Sequence, residues 1–268
     1  MKGTDLIVVG AGISGLSAAL ELSKSQPTTI VDRLPIFGGL NAGYENKIAK
    51  SLEHLCRQSG VRLMLGTTAL RWSPEKGLLI VGPAGIDWLP GKHLIFAGGI
   101  RPSISSELGI LGDRVSGIFP GMVAYHLLET GIRLGNRAVL LGGGDWAMKI
   151  GRLLAKQGCK IILLPLNETH TCPDFANEWW PEWTPMSVHG KGRISEVILA
   201  RADLRDRLLC DAFILTAKMR PIRNIDGAIF KETSEAVTFI QLVGATTTLA
   251  ERAAYAGQYA KQLLTELG

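Results

Sequence analysis

Apolar positions along the chain fall into short solid blocks separated by segments of helical period, and this alternation is the strongest signal it carries. Residues 5–9 predict one strand and 28–32 another, with a helix over 13–25 between them that Pro27 prevents from running on. A helix is predicted over 45–59. Short extended runs follow at 61–65, 67–72, 78–81, 85–88 and 93–97, punctuated by Ser73-Pro74, Gly82-Pro83 and Pro90-Gly91. That punctuation predicts a small antiparallel sheet returning to a buried strand. The opening pattern then recurs, after a helix at 121–129: strand 137–141, turn 142–144, helix 145–157, strand 160–164. An irregular stretch over 165–189 contains four prolines and three tryptophans, and 194–200, 208–215 and 225–230 are again extended. A long amphipathic helix, 249–267, closes the chain.

Each strand-turn-helix-strand segment turns on glycines. Gly10-Ala11-Gly12-Ile13-Ser14-Gly15 follows the first strand, and Gly142-Gly143-Gly144-Asp145-Trp146-Ala147 follows the strand at 137–141. The first is a G-x-G-x-x-G fingerprint in its expected context, strand before and helix after. Gly10 permits the tight turn, Gly12 lets backbone approach a pyrophosphate, and Gly15 lets the helix pack closely. Ile13 and Ser14 begin a helix whose free N–H groups favour phosphate. Asp32, followed by Arg33, lies 22 residues beyond Gly10 at the end of the second strand, where a carboxylate accepts ribose hydroxyls. The fold class expected is α/β: two Rossmann-like dinucleotide-binding domains in three layers, with a small antiparallel insertion. The first domain is expected to comprise 1–110 with 235–268, the second 111–234.

Composition narrows the field. With 46% hydrophobic and 20% charged residues the chain can bury a core. The net charge of +5 is scattered, without a basic run of five, which argues against nucleic acid. Cys56, Cys159, Cys172 and Cys210 form no CxxC pair and no metal-ligand spacing, so neither a disulfide framework nor a metal site is expected. The longest apolar stretch, 6–20, is broken by three glycines and two serines and falls short of a membrane span, so a cytoplasmic protein is expected.

Five features together resemble the thioredoxin-reductase-like FAD- and NAD(P)-dependent oxidoreductases: the first fingerprint, Gly38-Gly39-Leu40, the segment from Phe96 to Pro102, the second fingerprint, and a C-terminal strand, glycine and helix. The resemblance implies FAD on the first domain. It places Gly38, Gly39 and Leu40 along the FAD pyrophosphate and ribitol, Ala97 and Gly98 where a buried strand turns beside the cofactor, and the backbone of Ala69 at the adenine. Gly244 and Ala245 stand where the family has Gly-Asp, the acid of which accepts a ribitol hydroxyl. Within the class, the stretch from Gly112-Asp113-Arg114 through Gly117-Ile118-Phe119, leading into the helix at 121–129 and the second fingerprint, looks like the flavin subunits of dye-linked proline dehydrogenase, sarcosine oxidase and hydrogen cyanide synthase. Disulfide reductases of this fold usually carry a CxxC just before the second fingerprint, and residues 112–136 of this chain contain no cysteine.

The second fingerprint departs further. Gly142, Gly144, Asp145 and Ala147 satisfy G-x-G-x-x-A, but the same count of 22 residues ends on Leu164, with neither acid nor base, although Glu168 follows. Trp146 is expected to crowd the phosphate, and Asp145 and Lys149 to form a surface pair. An NAD(P)H site and a relic that only packs both stay open. Three functions follow: a small flavin subunit of a multi-subunit amine or amino-acid dehydrogenase, with partner subunits or as a homo-oligomer; a standalone NAD(P)H-dependent reductase lacking CxxC; or a non-catalytic dinucleotide-binding subunit. No side chain is singled out as catalytic, because flavin chemistry asks the protein mainly to position the ring.

Overall fold

In the computed structural model, which describes residues 6–39, 47–166, 171–222, 236–240 and 249–267, the first apolar block forms β1 (Leu6–Val9) and the small-residue run after it α1 (Ile13–Leu22). α1 stops short of the expected position 25, where Ser23 Oγ donates to Leu20 O at 2.9 Å. Next come β2 (Thr28–Asp32), α2 (Lys47–Gln58), β3 (Arg62–Leu65), β4 (Thr68–Ser73), β5 (Gly77–Gly82), β6 (Gly85–Leu89) and β7 (His93–Phe96). The strand at 62–65 joins the parallel sheet beside β2, with Thr29 opposite Arg62, whereas only β4, β5 and β6 form the antiparallel sheet.

The chain then builds β8 (Ile100–Pro102), a 3₁₀ turn (Ser105–Leu108), β9 (Leu111–Gly112), β10 (Ile118–Pro120), α3 (Gly121–Glu129), β11 (Arg137–Leu141), α4 (Asp145–Lys156) and β12 (Lys160–Leu164). The stretch expected to be irregular contains two strands, β13 (Glu178–Trp179) and β14 (Thr184–Lys191). Register shifts lie after Pro185 and at Gly190, which hides the alternation of β14 from the sequence. β15 (Arg193–Arg201) and β16 (Leu204–Leu209) complete a meander. The run expected over 208–215 is divided at Asp211, whose carboxylate accepts the N–H groups of Asn136 and Arg137, before β17 (Ala212–Leu215) begins. β18 (Met219–Pro221), β19 (Val237–Phe239) and α5 (Leu249–Leu267) finish the chain, and the expected strand at 225–230 lies outside the described residues.

Two compact units result, Met1–Ile100 with Pro221–Gly268, and Arg101–Arg220. The first has a parallel sheet in the order β19-β7-β1-β2-β3 and the second one in the order β10-β17-β11-β12-β13. β1, β2, β11, β12 and β17 are buried along almost their whole length. Strands covered on both faces need no polar alternation, which is why they read as solid apolar blocks. In the first unit, helices α1, α2 and α5 bury a core on one face that includes Leu16, Leu22, Cys56 and Ala256, and β4–β6 bury another around Trp72, Leu78 and Leu94. In the second, α3 and α4 cover one face through Ala124, Ile150 and Leu154, and the β14–β16 meander covers the other through Val188, Val197 and Leu208. Each unit is therefore three-layered: helices, parallel sheet, antiparallel sheet.

Candidate functional site

The first glycine turn is held in a geometry that side chains other than hydrogen exclude. Gly10 has φ 114°, and a Cβ there would strike the carbonyl of Ala97; a Cβ on Gly15 would strike the carbonyl of Gly10. Gly12 differs. Its nearest neighbour for a Cβ is Gly39 Cα at 3.8 Å, and it is half-exposed at the N-terminus of α1, which no side chain caps. The first turn, Ile13 and Ser14, therefore presents N–H groups with no side-chain acceptor from the protein, the arrangement that suits an anion.

Neighbouring segments converge on this turn. Gly38, at φ 109°, donates its N–H to Ala11 O at 2.8 Å and bridges Gly12, while Gly39 has φ 59°. Asp32 Oδ2 accepts the Ala11 N–H at 2.6 Å and Oδ1 accepts that of Leu34 at 2.8 Å. The carboxylate is thus part of the turn's own scaffold, with one further lone pair per oxygen available to a ribose. Arg33 is exposed beside it. Buried Ala97 donates to Val9 O at 2.8 Å, and the ring of Phe96 occupies the space where Gly98 would carry a Cβ, a contact that no residue pattern announces. Ala69 is half-buried on β4 opposite Ile80, next to a register shift and two residues after buried Thr67. Leu40, Gly244 and Ala245 lie outside the described residues.

The second turn repeats the first closely. Gly142 has φ 116° and donates to Leu164 O at 2.8 Å, as Gly10 donates to Val31 O at 2.8 Å. A Cβ on Gly142 would meet Thr216 Oγ1 at 2.5 Å, so buried Thr216 takes the place of the Ala97 carbonyl. Gly144 caps α4 with ψ −175°, as Gly12 caps α1 with ψ 179°. Exposed Asp145 and buried Ala147 follow. Because Val31 precedes Asp32 and Leu164 precedes Pro165, the position equivalent to Asp32 is Pro165 and not Leu164. The Trp146 ring meets that of Tyr125 on α3 edge-on, 5.3 Å between centroids. Lys149 lies over the same indole, 5.8 Å from its centroid, so its stem turns toward the aromatic ring.

The thiols sit apart from these turns. Burial pushes Cys56 up to about 11 and Cys210 up to about 12, and raises Cys159 too, so all three stay protonated at neutral pH. Cys172 is exposed and free. Among the described residues no three His, Cys, Asp or Glu side chains are grouped to hold a metal, and no helix is long and apolar enough to cross a membrane.

Residues 1–119 match the profile of the pyridine nucleotide-disulphide oxidoreductases, a stretch containing the whole first turn with Asp32, Gly38, Ala69 and Ala97. The chain is also 25% identical over 187 residues to a ferredoxin–NADP reductase of Ignicoccus hospitalis, covering 63% of this chain and 58% of the reductase. Among solved structures, the L-proline dehydrogenase of P. horikoshii superposes with TM-score 0.67 at 16% identity, over 99% of this chain and 56% of that one. An oxidoreductase of the same family from Enterococcus faecalis superposes with TM-score 0.70, also at 16% identity, over 97% of this chain and 69% of that one. The chain spans little more than half the length of the reductase and the proline dehydrogenase.

Proposed function

We propose that the chain is an FAD-dependent oxidoreductase that exchanges a hydride with a pyridine nucleotide and uses no thiol in doing so. The observation that carries this reading is the duplicated glycine turn: two helix N-termini, at Gly12 and Gly144, each at the carboxyl edge of its own parallel sheet, where open α/β sheets bind ligands. The residues of the first turn fit FAD. Gly12, Ile13, Ser14 and Gly39 would lie against the pyrophosphate, with Gly10 and Gly15 shaping the turn, Asp32 and Arg33 at the ribose, and Gly38, Leu40, Ala97 and Gly98 beside them. Ala69 would offer its backbone to the adenine, and Gly244 and Ala245 would lie toward the ribitol. Gly142, Gly144, Asp145 and Ala147 would carry the second dinucleotide.

FAD, when bound, supplies the hydride and single-electron chemistry; the protein holds it, orients it and excludes water. Nothing in the described residues offers the paired, low-pKa thiols of a disulfide reductase, because three of the four cysteines are buried with raised pKa values. Asp32 keeps the first turn closed onto β2 through Ala11.

A second reading, a flavin subunit of a multi-subunit amine or amino-acid dehydrogenase, is favoured by the alignment of nearly the whole chain within about half of the proline dehydrogenase. One experiment separates the two. The absorption spectrum of the purified protein is recorded before and after anaerobic NADH, NADPH or proline. Bleaching of bound flavin by a nicotinamide supports the reductase, bleaching by proline alone supports the subunit, and a colourless protein that takes up no added FAD overturns both.

A further inference from the structure

The carboxyl edge of the β10–β13 sheet carries aromatic and cationic side chains that the glycine turn does not use. Trp180, just past β13, donates its backbone N–H to Leu163 O at 2.9 Å and so stands level with the end of β12. Its ring meets that of Trp183 at 5.4 Å and 67°, and its indole N–H points to Glu178 Oε2 at 3.4 Å. Thr184 faces Ala200 across the meander, which brings Arg201 to the same rim; its guanidinium lies 5.2 Å from the Trp183 ring centroid. Glu182, between the two tryptophans, is held at φ 66°, a conformation side-chain-bearing residues rarely adopt. Both indoles are half-buried and pack, with Leu166, against the core under the meander.

A dinucleotide seated on Gly142–Gly144 runs its adenosine half toward the end of β12, because in this fold the ribose sits at the end of the strand that follows the turn's helix. β13 is the next strand outward and borders the adenine. At the end of β12, in the position that Asp32 holds after β2, stands Pro165, which itself offers no carboxylate to a ribose 2′-hydroxyl. Arg201 brings a cation to that rim. Among the described residues it pairs with Glu182 at 3.9 Å, an exposed pairing that a phosphate readily displaces. The Trp183 indole, 5.2 Å from the guanidinium carbon, helps hold Arg201 at the rim.

We propose that Trp180, Trp183 and Arg201 grip the adenosine end of an NADPH-type dinucleotide, the indoles taking the adenine and Arg201 the 2′-phosphate. This rests on the reading that the second glycine turn holds a pyrophosphate. The test uses the full-length, FAD-loaded protein with 2′,5′-ADP and 5′-AMP as probes, followed by calorimetric titration and by tryptophan fluorescence at fixed ionic strength. The wild type is expected to quench on binding and to prefer 2′,5′-ADP by about tenfold, the range of one charge-assisted phosphate contact. Arg201→Gln brings that preference close to unity and leaves 5′-AMP affinity unchanged. Trp180→Leu weakens both probes about tenfold, as expected for one lost base stack, and Trp180→Phe restores most of it. Flavin content and circular dichroism report the folding of each variant. An unchanged preference in Arg201→Gln, or unchanged affinities in Trp180→Leu while the wild type binds, overturns the grip alone. If the wild type binds neither probe, the second turn itself is not a nucleotide site and both readings fall.

Discussion

A methyl group added at Gly12 and one added at Gly15 would meet different surroundings, and the difference separates ligand contact from packing. At Gly15 the methyl runs into the Gly10 carbonyl, so Gly15→Ala is expected to cost about 1–3 kcal/mol of stability by overpacking, with or without FAD. At Gly12 it meets only Gly39 Cα at ordinary contact distance. Gly12→Ala is therefore expected to leave the thermal midpoint of FAD-free protein unchanged while weakening FAD binding, measured by flavin fluorescence titration. Equal affinity for FAD in that variant would remove the pyrophosphate from Gly12. The cysteines give a second residue-scale outcome. Thiolates are the reactive form, and burial holds Cys56, Cys159 and Cys210 protonated, so N-ethylmaleimide at pH 8 should label Cys172 alone in minutes. Intact mass after labelling counts the adducts; a second fast adduct on native protein would contradict the thiol-free mechanism.

Among the elements, the 3₁₀ turn at Ser105–Leu108 is tied down by charge. Arg101 donates two hydrogen bonds of 2.7 Å to the Glu107 carboxylate, which also accepts the Ile104 N–H. The Arg101 hydrogen bond first, and the Ile104 N–H after it, hold the Glu107 carboxyl down at about 2. A lowered carboxylate stabilises the folded state above its unfolded pKa, roughly 4.3, and that contribution is lost as pH falls from there through about 2. Glu107→Gln should accordingly flatten the acid limb of stability between those values in urea titrations; an unchanged acid limb would mean the pair contributes nothing. The elements also show how far the sequence was legible. The solid strands β1, β2, β11 and β12 and both glycine turns were readable because burial on two faces and positive φ at Gly10 and Gly142 each leave a residue-type signature. β8, β9 and β18 were not, since two or three residues show no period. β14 was masked by Pro185 and its register shifts, and β3 was assigned to the wrong sheet because a local pattern carries no information on its partner. Counting residues placed the second specificity position on Leu164, whereas the backbone hydrogen bonds of Gly10 and Gly142 align Asp32 with Pro165. The carboxylate at Asp32 was foreseen; its commitment to Ala11 and Leu34 required geometry.

At the scale of the molecule, each unit owns its cores. The cluster around Leu16 and Ala256 and the one around Trp72 draw only on the first unit, while those around Val197 and Ile150 draw only on the second. A ligand stabilises what it binds by RT ln(1 + [L]/Kd), about 2.7 kcal/mol at a hundredfold excess over Kd. FAD at that excess should therefore raise the calorimetric transition of the unit that contains Gly10–Gly15 and leave the other in place, and 2′,5′-ADP should do the reverse. Substitution assigns the transitions: Gly15→Ala lowers the one FAD raises, and Glu107→Gln at pH 7 lowers the one 2′,5′-ADP raises. A single transition that both ligands raise equally would show the two units unfolding as one, in which case the nucleotide sites would be energetically linked and the glycine turns would have to be treated as parts of one binding system.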